Sequence, residues 1–225
     1  MTHPPVILTS RLWFPDPRLA PRSGRYAGLV AVGGDFSVSR LLLAYRSGLF
    51  PWSDDPVTWW SPDPRGIFEL ERFHVPRSLA RVLRSGRFRV TVNEAFPAVM
   101  EGCAAPGPRR GHTWISDAFV EGYTRLHRAG HAHSVECWLE GELVGGIYGV
   151  AVGGLFAGES MFHRASDASK VALAHLVERL RTRGFGLFDI QMVTPVTRQL
   201  GALEIPRDDY LRRLAGVVGL ECSFV

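Results

Sequence analysis

The stretch from Ala132 to Phe162 reads AHSVECWLEGELVGGIYGVAVGGLFAGESMF. Glu140-Gly141 forms a tight turn and Gly153-Gly154 a glycine turn, so the segment is predicted to be three consecutive antiparallel strands. Downstream, SDASKVALAHLVERLRTRG, residues 166–184, is predicted to be a long helix capped by Ser166 or Asp167. FGLFDIQMV, residues 185–193, then reads as a buried strand, and PRDDYLRRLAGVV, residues 206–218, as a final helix. Upstream of the meander, SDAFVEGYTRLHRAG is a helix capped by Ser116, and RFRVTV is a strand. HVPRSLARVLRSG is a helix with Pro76 in its first turn and Gly86 past its end, and RGIFELER alternates like a strand.

The order from residue 66 onward is strand, helix, strand, helix, meander, helix, strand, helix. This is an α+β domain around a mixed sheet. It suggests an acetyltransferase-like (GNAT-type) fold, in which a V-shaped split in the sheet holds the donor. Such a domain would occupy residues 66–225. Residues 1–65 are rich in Gly and Pro and form a small N-terminal domain. There, Ser37 or Ser39 caps one helix that Gly48 ends. SPDPRG, from Ser61, reads as the linker.

The chain has 225 residues, 46% of them hydrophobic and 21% charged, which suits one large or two small globular domains. A net charge of +4 permits an anionic partner without requiring one. Lys170 is the single lysine. Three cysteines, odd in number and far apart, fit a reducing cytoplasm rather than a disulfide framework. The N-terminus lacks a signal peptide's pattern, and no apolar run approaches the ~18 residues of a membrane helix.

FPWSDDPVTWWSPDPR, Phe50 to Arg65, reads as a proline-broken loop holding three of the six tryptophans. Trp59 and Trp60 are assigned to packing. Trp52, and Trp114 beside a helix start, could pack or could stack a base. From Arg72 to Arg89 there are six arginines and no carboxylate. Arg77, Arg81 and Arg84 fall on one helix face with Arg87 beyond its end. A solvated face usually mixes signs, so this pattern points to phosphate contacts. Glu159 is an acid in an apolar run that could receive an ammonium group. Asp189 and Gln191, two apart on a buried strand, face the same way and need a partner or a substrate. GESMF is not a nucleophile elbow, so Ser160 is no nucleophile. His131, His133 and Cys137 could share a face, but no further ligand pair accompanies them and no metal is expected. HRASDASKVAL opens the long helix without glycine, which argues against a coenzyme A pyrophosphate there.

Together LVAVGGDFSVSRLLLAYRSGLFPW, WWSPDPRG, GHTWI, LHRAGHAHSVECW, LVGGIYGVAVGGLFAGESMFHRASDASKVAL, DIQ and LGALEIPRDDY resemble the leucyl/phenylalanyl-tRNA–protein transferases, from about Phe14 to Tyr210. The resemblance implies transfer of Leu or Phe, and weakly Met, from aminoacyl-tRNA to the N-terminal Arg or Lys of proteins, which marks them for N-end rule degradation. It implies a cytoplasmic enzyme, a monomer, with no cofactor. It matches Trp52 and Trp114 to the aromatics that hold the terminal adenosine. It places Gly158, Glu159 and Ser160 at the donor site, and Ile147 and Phe156 in the pocket for the Leu or Phe side chain. Asp189 and Gln191 match the catalytic pair, Asp189 polarising Gln191. Arg77, Arg81, Arg84 and Arg87 match the surface that holds the tRNA. The chain departs from the usual pattern at Val196, where His is common, and at His163, where Ser is common. The rival readings are an acyl-CoA-dependent transferase, a non-catalytic RNA-binding module, and a tRNA-dependent transferase with another acceptor.

Overall fold

In the computed structural model, residues 5–105 and 114–225 are described. Gly111, His112 and Thr113 of the GHTWI motif lie outside them. The described residues form two sheets. The first has the order β1-β2-β4-β3, from β1 (Val6–Leu8), β2 (Leu29–Gly33), β3 (Phe50–Asp54) and β4 (Val57–Trp60). Helix α1 (Val38–Arg46) joins β2 to β3. It starts as expected, with the Ser37 hydroxyl accepting from the Arg40 amide, and it stops where Gly48 takes a φ of +79°.

The tryptophan segment is a correction. It is a β-hairpin rather than a loop, with Phe50 opposite Trp60 and Asp54 opposite Val57. In β4, Val57 and Trp59 point into the core while Thr58 and Trp60 are half-buried. The alternation was in the sequence, but the prolines masked it.

The second sheet has the order β11-β5-β10-β9-β8-β7-β6. Its strands are β5 (Arg65–Phe68), β6 (Arg89–Val92), β7 (Ala132–Leu139), β8 (Glu142–Val152), β9 (Leu155–His163), β10 (Leu187–Gln191) and β11 (Leu203–Ile205). Its helices are α2 (Arg77–Arg84), α3 (Phe96–Ala104), α4 (Asp117–Arg128), α5 (Ala168–Thr182), α6 (Pro195–Gln199) and α7 (Arg207–Val217). The meander β7–β9 forms as read, with Glu140 and Gly141 at φ +53° and +85° in its first turn. RGIFELER is a strand only to Phe68; Leu70–Arg72 turn as a short 3-10 helix. Pro76 sits at the N-cap of α2 rather than in its first turn.

The side-chain caps expected of α4 and α5 do not form. Ser116 donates to Asp54 on β3, and Asp167 pairs with Lys170. α3 was not assigned in the sequence. Pro97 sits in the first turn, where it is tolerated, and a Cβ at Gly102 would lie 2.6 Å from the Phe162 ring.

Alternate residues of β8 feed two cores. Tyr148, Val150 and Val152 belong with α3, α4 and α1, whereas Ile147 belongs with α5. The first core runs without a break into the four-stranded sheet through Trp59 and Phe36. SPDPRG is therefore no loose linker. Ser61 donates its amide to Gly28, Asp63 accepts from the Arg207 amide, and Arg65 is fully buried in β5.

Strands β9 and β10 run parallel and pair only from Leu155↔Leu187 to Ala157↔Asp189. Beyond that point β9 continues to His163 while β10 ends at Gln191, so the sheet opens into a V. Phe36 joins the two halves: its ring lies 4.6 Å from Phe119 of α4 and 6.4 Å from Trp59 of β4. Phe36→Ala is expected to cost about 3–5 kcal/mol in urea unfolding monitored by tryptophan fluorescence.

Candidate active site

The site begins with a buried ion pair behind the V. The Arg65 guanidinium grips the Asp189 carboxylate with two bonds, Nε to Oδ1 at 2.8 Å and a terminal nitrogen to Oδ2 at 2.6 Å. Both side chains are fully buried. The Tyr210 hydroxyl donates to Oδ2 at 3.0 Å, and the Gln191 amide donates to Oδ1 at 2.9 Å. Arg65 also donates to the Gly48 carbonyl at 3.2 Å and lies 4.4 Å from the centre of the Tyr210 ring. Burial would lower the Arg65 pKa, but Asp189 more than offsets this and raises it. Such a pair is tolerated when further hydrogen bonds meet its remaining lone pairs and protons, the part that Tyr210, Gly48 and the Gln191 amide play here.

Asp189 thereby shapes the backbone at Gln191. The pairing of β10 with β5 slips between Asp189 and Gln191, and Gln191 takes a φ of +56°, unusual for a residue with a side chain. The Asp189 carboxylate holds that turn through the Gln191 amide. The Gln191 side chain reaches across the V, its Nε2 donating to Glu159 Oε1 at 3.3 Å.

Glu159 owes its place to a bulge in β9. Gly149 pairs with Gly158 and Tyr148 with Ser160, so Glu159 is the extra residue. The bulge aims its carboxyl at Tyr45 of α1 and Tyr123 of α4. The two hydroxyls bond to each other, and Tyr123 also donates to Glu159 at 3.5 Å. Burial, reinforced by Asp189 and outweighing the bonds from Tyr45 and Tyr123 and the charge of Arg65, pushes the Glu159 pKa up to about 8.

A cavity of about 320 Å³ opens at the mouth of the V. Ile147, Gly158, Glu159 and Ser160, which the resemblance assigns to donor binding, are among the residues that line it. Phe68, Met161, Leu173, Ile190, Met192, Thr194 and Thr197 complete it and were not singled out in the sequence, together with Val196, noted there only as a departure from the family pattern. Ile190 and Met192 flank Gln191, and Thr194, Val196 and Thr197 surround the start of α6. No periodicity marks such residues. Phe156 is not among the lining. It is buried against Gly149, edge-on to Phe188 and stacked on Phe224 at 5.2 Å. It supports the cavity rather than walling it.

The family model described as leucyl/phenylalanyl-tRNA protein transferase matches residues 67–215, and the model of that family's N-terminal domain matches residues 34–63. The chain belongs to the leucyl/phenylalanyl-tRNA–protein transferase family. It is 53% identical over 204 residues to the leucyl/phenylalanyl-tRNA–protein transferase of Solidesulfovibrio magneticus, covering 89% of this chain and 81% of that one. It is 53% identical over 191 residues to the protein of that name from Pseudomonas syringae pv. syringae, covering 83% of each. Among solved structures it is similar to a GCN5-related N-acetyltransferase from Kribbella flavida, with a TM-score of 0.41, 13% identity, and coverage of 73% of this chain and 59% of that one. This member of the transferase family is an aminoacyl-tRNA-dependent enzyme.

The remaining candidates of this transferase lie away from the cavity lining. Trp52 is half-buried and packs edge-on against Trp60 at 5.5 Å. Trp114 is half-buried and edge-on to Phe119 at 5.1 Å. Each leaves part of its ring accessible. Trp59 is fully buried, donates to the Gly33 carbonyl, and meets Phe14 and Phe36. Arg77, Arg81, Arg84 and Arg87 are exposed on and just after α2. Their outer neighbours are satisfied, Arg72 by Glu69 and Arg89 by Glu94. Among the described residues the inner four make no ion pair. His133 is buried against Phe224 and bonded to Asn93, and burial first of all lowers its pKa to about 4. Burial likewise lifts the Cys137 thiol to about 12. No group of three metal-ligating side chains forms among the described residues.

Two stability measurements follow from this geometry. Arg65→Met strands a buried carboxylate and is expected to cost about 3–5 kcal/mol in denaturant unfolding, part of which the double change Arg65→Met/Asp189→Leu should recover. Glu159 stays protonated when folded up to about pH 8 but ionises near its ordinary 4.5 when unfolded. Between those values the folded protein binds the extra proton, so its stability falls as pH rises. Glu159→Gln should flatten that slope and gain roughly 1–3 kcal/mol at pH 8, read from melting curves at pH 5 and pH 8.

Proposed function

We propose that this enzyme transfers Leu or Phe, and weakly Met, from aminoacyl-tRNA to the N-terminal Arg or Lys of acceptor proteins, marking them for degradation by the N-end rule in the cytoplasm. The observation that carries the reading is the apolar cavity at the mouth of the V, with one carboxyl on its wall. Phe68, Ile147, Met161, Leu173 and Ile190 offer a branched or aromatic side chain a dry surface. A charged or amide side chain would lose its water there without new partners, which is costly. A near-isostere loses little, hence some transfer of Met.

The donor is an ester and already activated, so the reaction requires no covalent enzyme intermediate. Holding ester and amine together supplies much of the rate. Gln191 presents its side-chain carbonyl to the acceptor amine while its Nε2 is taken up by Glu159. Asp189 acts as a positioning residue, because its contact is with the Gln191 backbone and not with the side chain. Trp52 and Trp114 supply accessible rings for the terminal adenosine. The unpaired arginines of α2 neutralise phosphates of the acceptor stem.

Two experiments test the reading. Radiolabelled leucine from Leu-tRNA should enter a protein with N-terminal Arg in acid-stable form, and should not enter one beginning Met-Arg. No label in the Arg protein, with tRNA still bound, would refute the acceptor assignment. The double change Arg81→Glu/Arg84→Glu is expected to weaken tRNA binding at least tenfold and to lower the slope of log K against log salt by about 2. An unchanged slope would remove the helix from the tRNA surface.

A further inference from the structure

We propose that Glu159 is the catalytic proton carrier of the transfer step, taking a proton from the attacking amine and delivering it to the departing ribose oxygen. The proposal rests on the aminoacyl-transfer reading above. Its basis is the inventory of groups around the cavity. Of the residues lining it, Glu159 is the sole titratable one among those described. Val196, on the same wall, brings no imidazole.

The neighbours are disqualified one by one. Asp189 has both oxygens engaged, Oδ1 by Arg65 and the Gln191 amide, Oδ2 by Arg65 and Tyr210. It has no lone pair turned to a substrate, and it does not line the cavity. Gln191 carries an amide, which orients an amine but does not hold its proton. Tyr45 of α1, Tyr123 of α4, Tyr148 of β8 and Tyr210 of α7 surround the two carboxylates. Burial pushes the pKa of each well above 10, so they stay protonated. Arg65 of β5 is a fixed cation. What remains is a half-buried carboxyl on an extra residue of β9, steadied by Tyr123 and Gln191 and open to the cavity. A general acid–base catalyst works best when its pKa lies near the working pH, and Glu159 meets that condition.

The step balances. The acceptor ammonium first loses one proton to water. The free amine attacks the ester carbonyl, forming the C–N bond. Its second proton passes to ionised Glu159 as the tetrahedral intermediate forms. The C–O bond to the ribose then breaks, and Glu159-H protonates the leaving oxygen. The products are an amide, a ribose hydroxyl and the one proton already released.

The test is single-turnover transfer from Leu-tRNA to an N-terminal Arg peptide between pH 5.5 and 9. Wild type, Glu159→Gln and Glu159→Asp are compared. For the wild type, two ionisations precede reaction, those of Glu159 and of the acceptor amine. Log kcat/KM should then rise with a slope near two below pH 7. For Glu159→Gln we expect kcat to fall about 10²–10⁴-fold, with the donor KM changed less than threefold and the slope reduced to one. Glu159→Asp should restore part of kcat together with the slope of two. An unchanged slope in Glu159→Gln, or a loss confined to donor KM, would overturn the proposal and leave Glu159 as a donor-binding residue only. Absence of transfer by the wild type would instead refute the aminoacyl-transfer reading.

Discussion

The pair between Arg65 and Asp189 locks two neighbouring strands of the seven-stranded sheet at the site, and Arg65 reaches from it to the Gly48 carbonyl after α1. Arg65 arrives from the four-stranded sheet by way of β4. It enters the seven-stranded sheet as the first residue of β5. Asp189 lies on the strand beside it. Removing two charges from water is expensive, and only a bidentate geometry with every remaining position met makes it tolerable. That requirement draws in Gly48 after α1, Tyr210 of α7 and the backbone of Gln191. The left-handed turn at Gln191, itself costly, is one of the bonds that satisfy the pair.

The site works by contrast between two carboxylates on adjoining strands. Asp189 is held by a guanidinium, a phenol and a backbone amide. Glu159 faces phenols and an amide, with little to compensate its charge, and its pKa rises to about 8. Environment alone separates a structural carboxylate from a chemically available one. Apolar walls around Glu159 sustain the contrast.

Much of the fold was legible because the meander and the long helix obey strong local rules. Paired turn residues at Glu140-Gly141 and an uninterrupted apolar stretch left little choice for β7–β9. Legibility failed where prolines stood in regular structure. Pro51 lies in β3 and Pro97 in the first turn of α3, positions that tolerate proline but whose tolerance depends on pairing partners and helix starts unseen in sequence. At the site, Asp189, Gln191 and Glu159 stood out as polar residues in apolar runs. Arg65 did not, because a buried arginine looks like any other until its partner, 124 positions away, is in place. Phe156 was assigned to the pocket through resemblance, and its burial among Phe185, Phe188 and Phe224 depends on partners far away in the chain. The cavity's other lining residues come from five separate elements and loops and share no spacing.

The bulge at Glu159 has a meaning for how such a site could arise and be lost. The strand carries one residue more than its neighbour needs, and one residue is one codon. Without Glu159, Gly158 and Ser160 would be consecutive and β9 could pair with β8 uninterrupted. The same deletion would take away the carboxyl. One triplet of nucleotides therefore carries both the offset in β9 and the carboxyl that the offset presents.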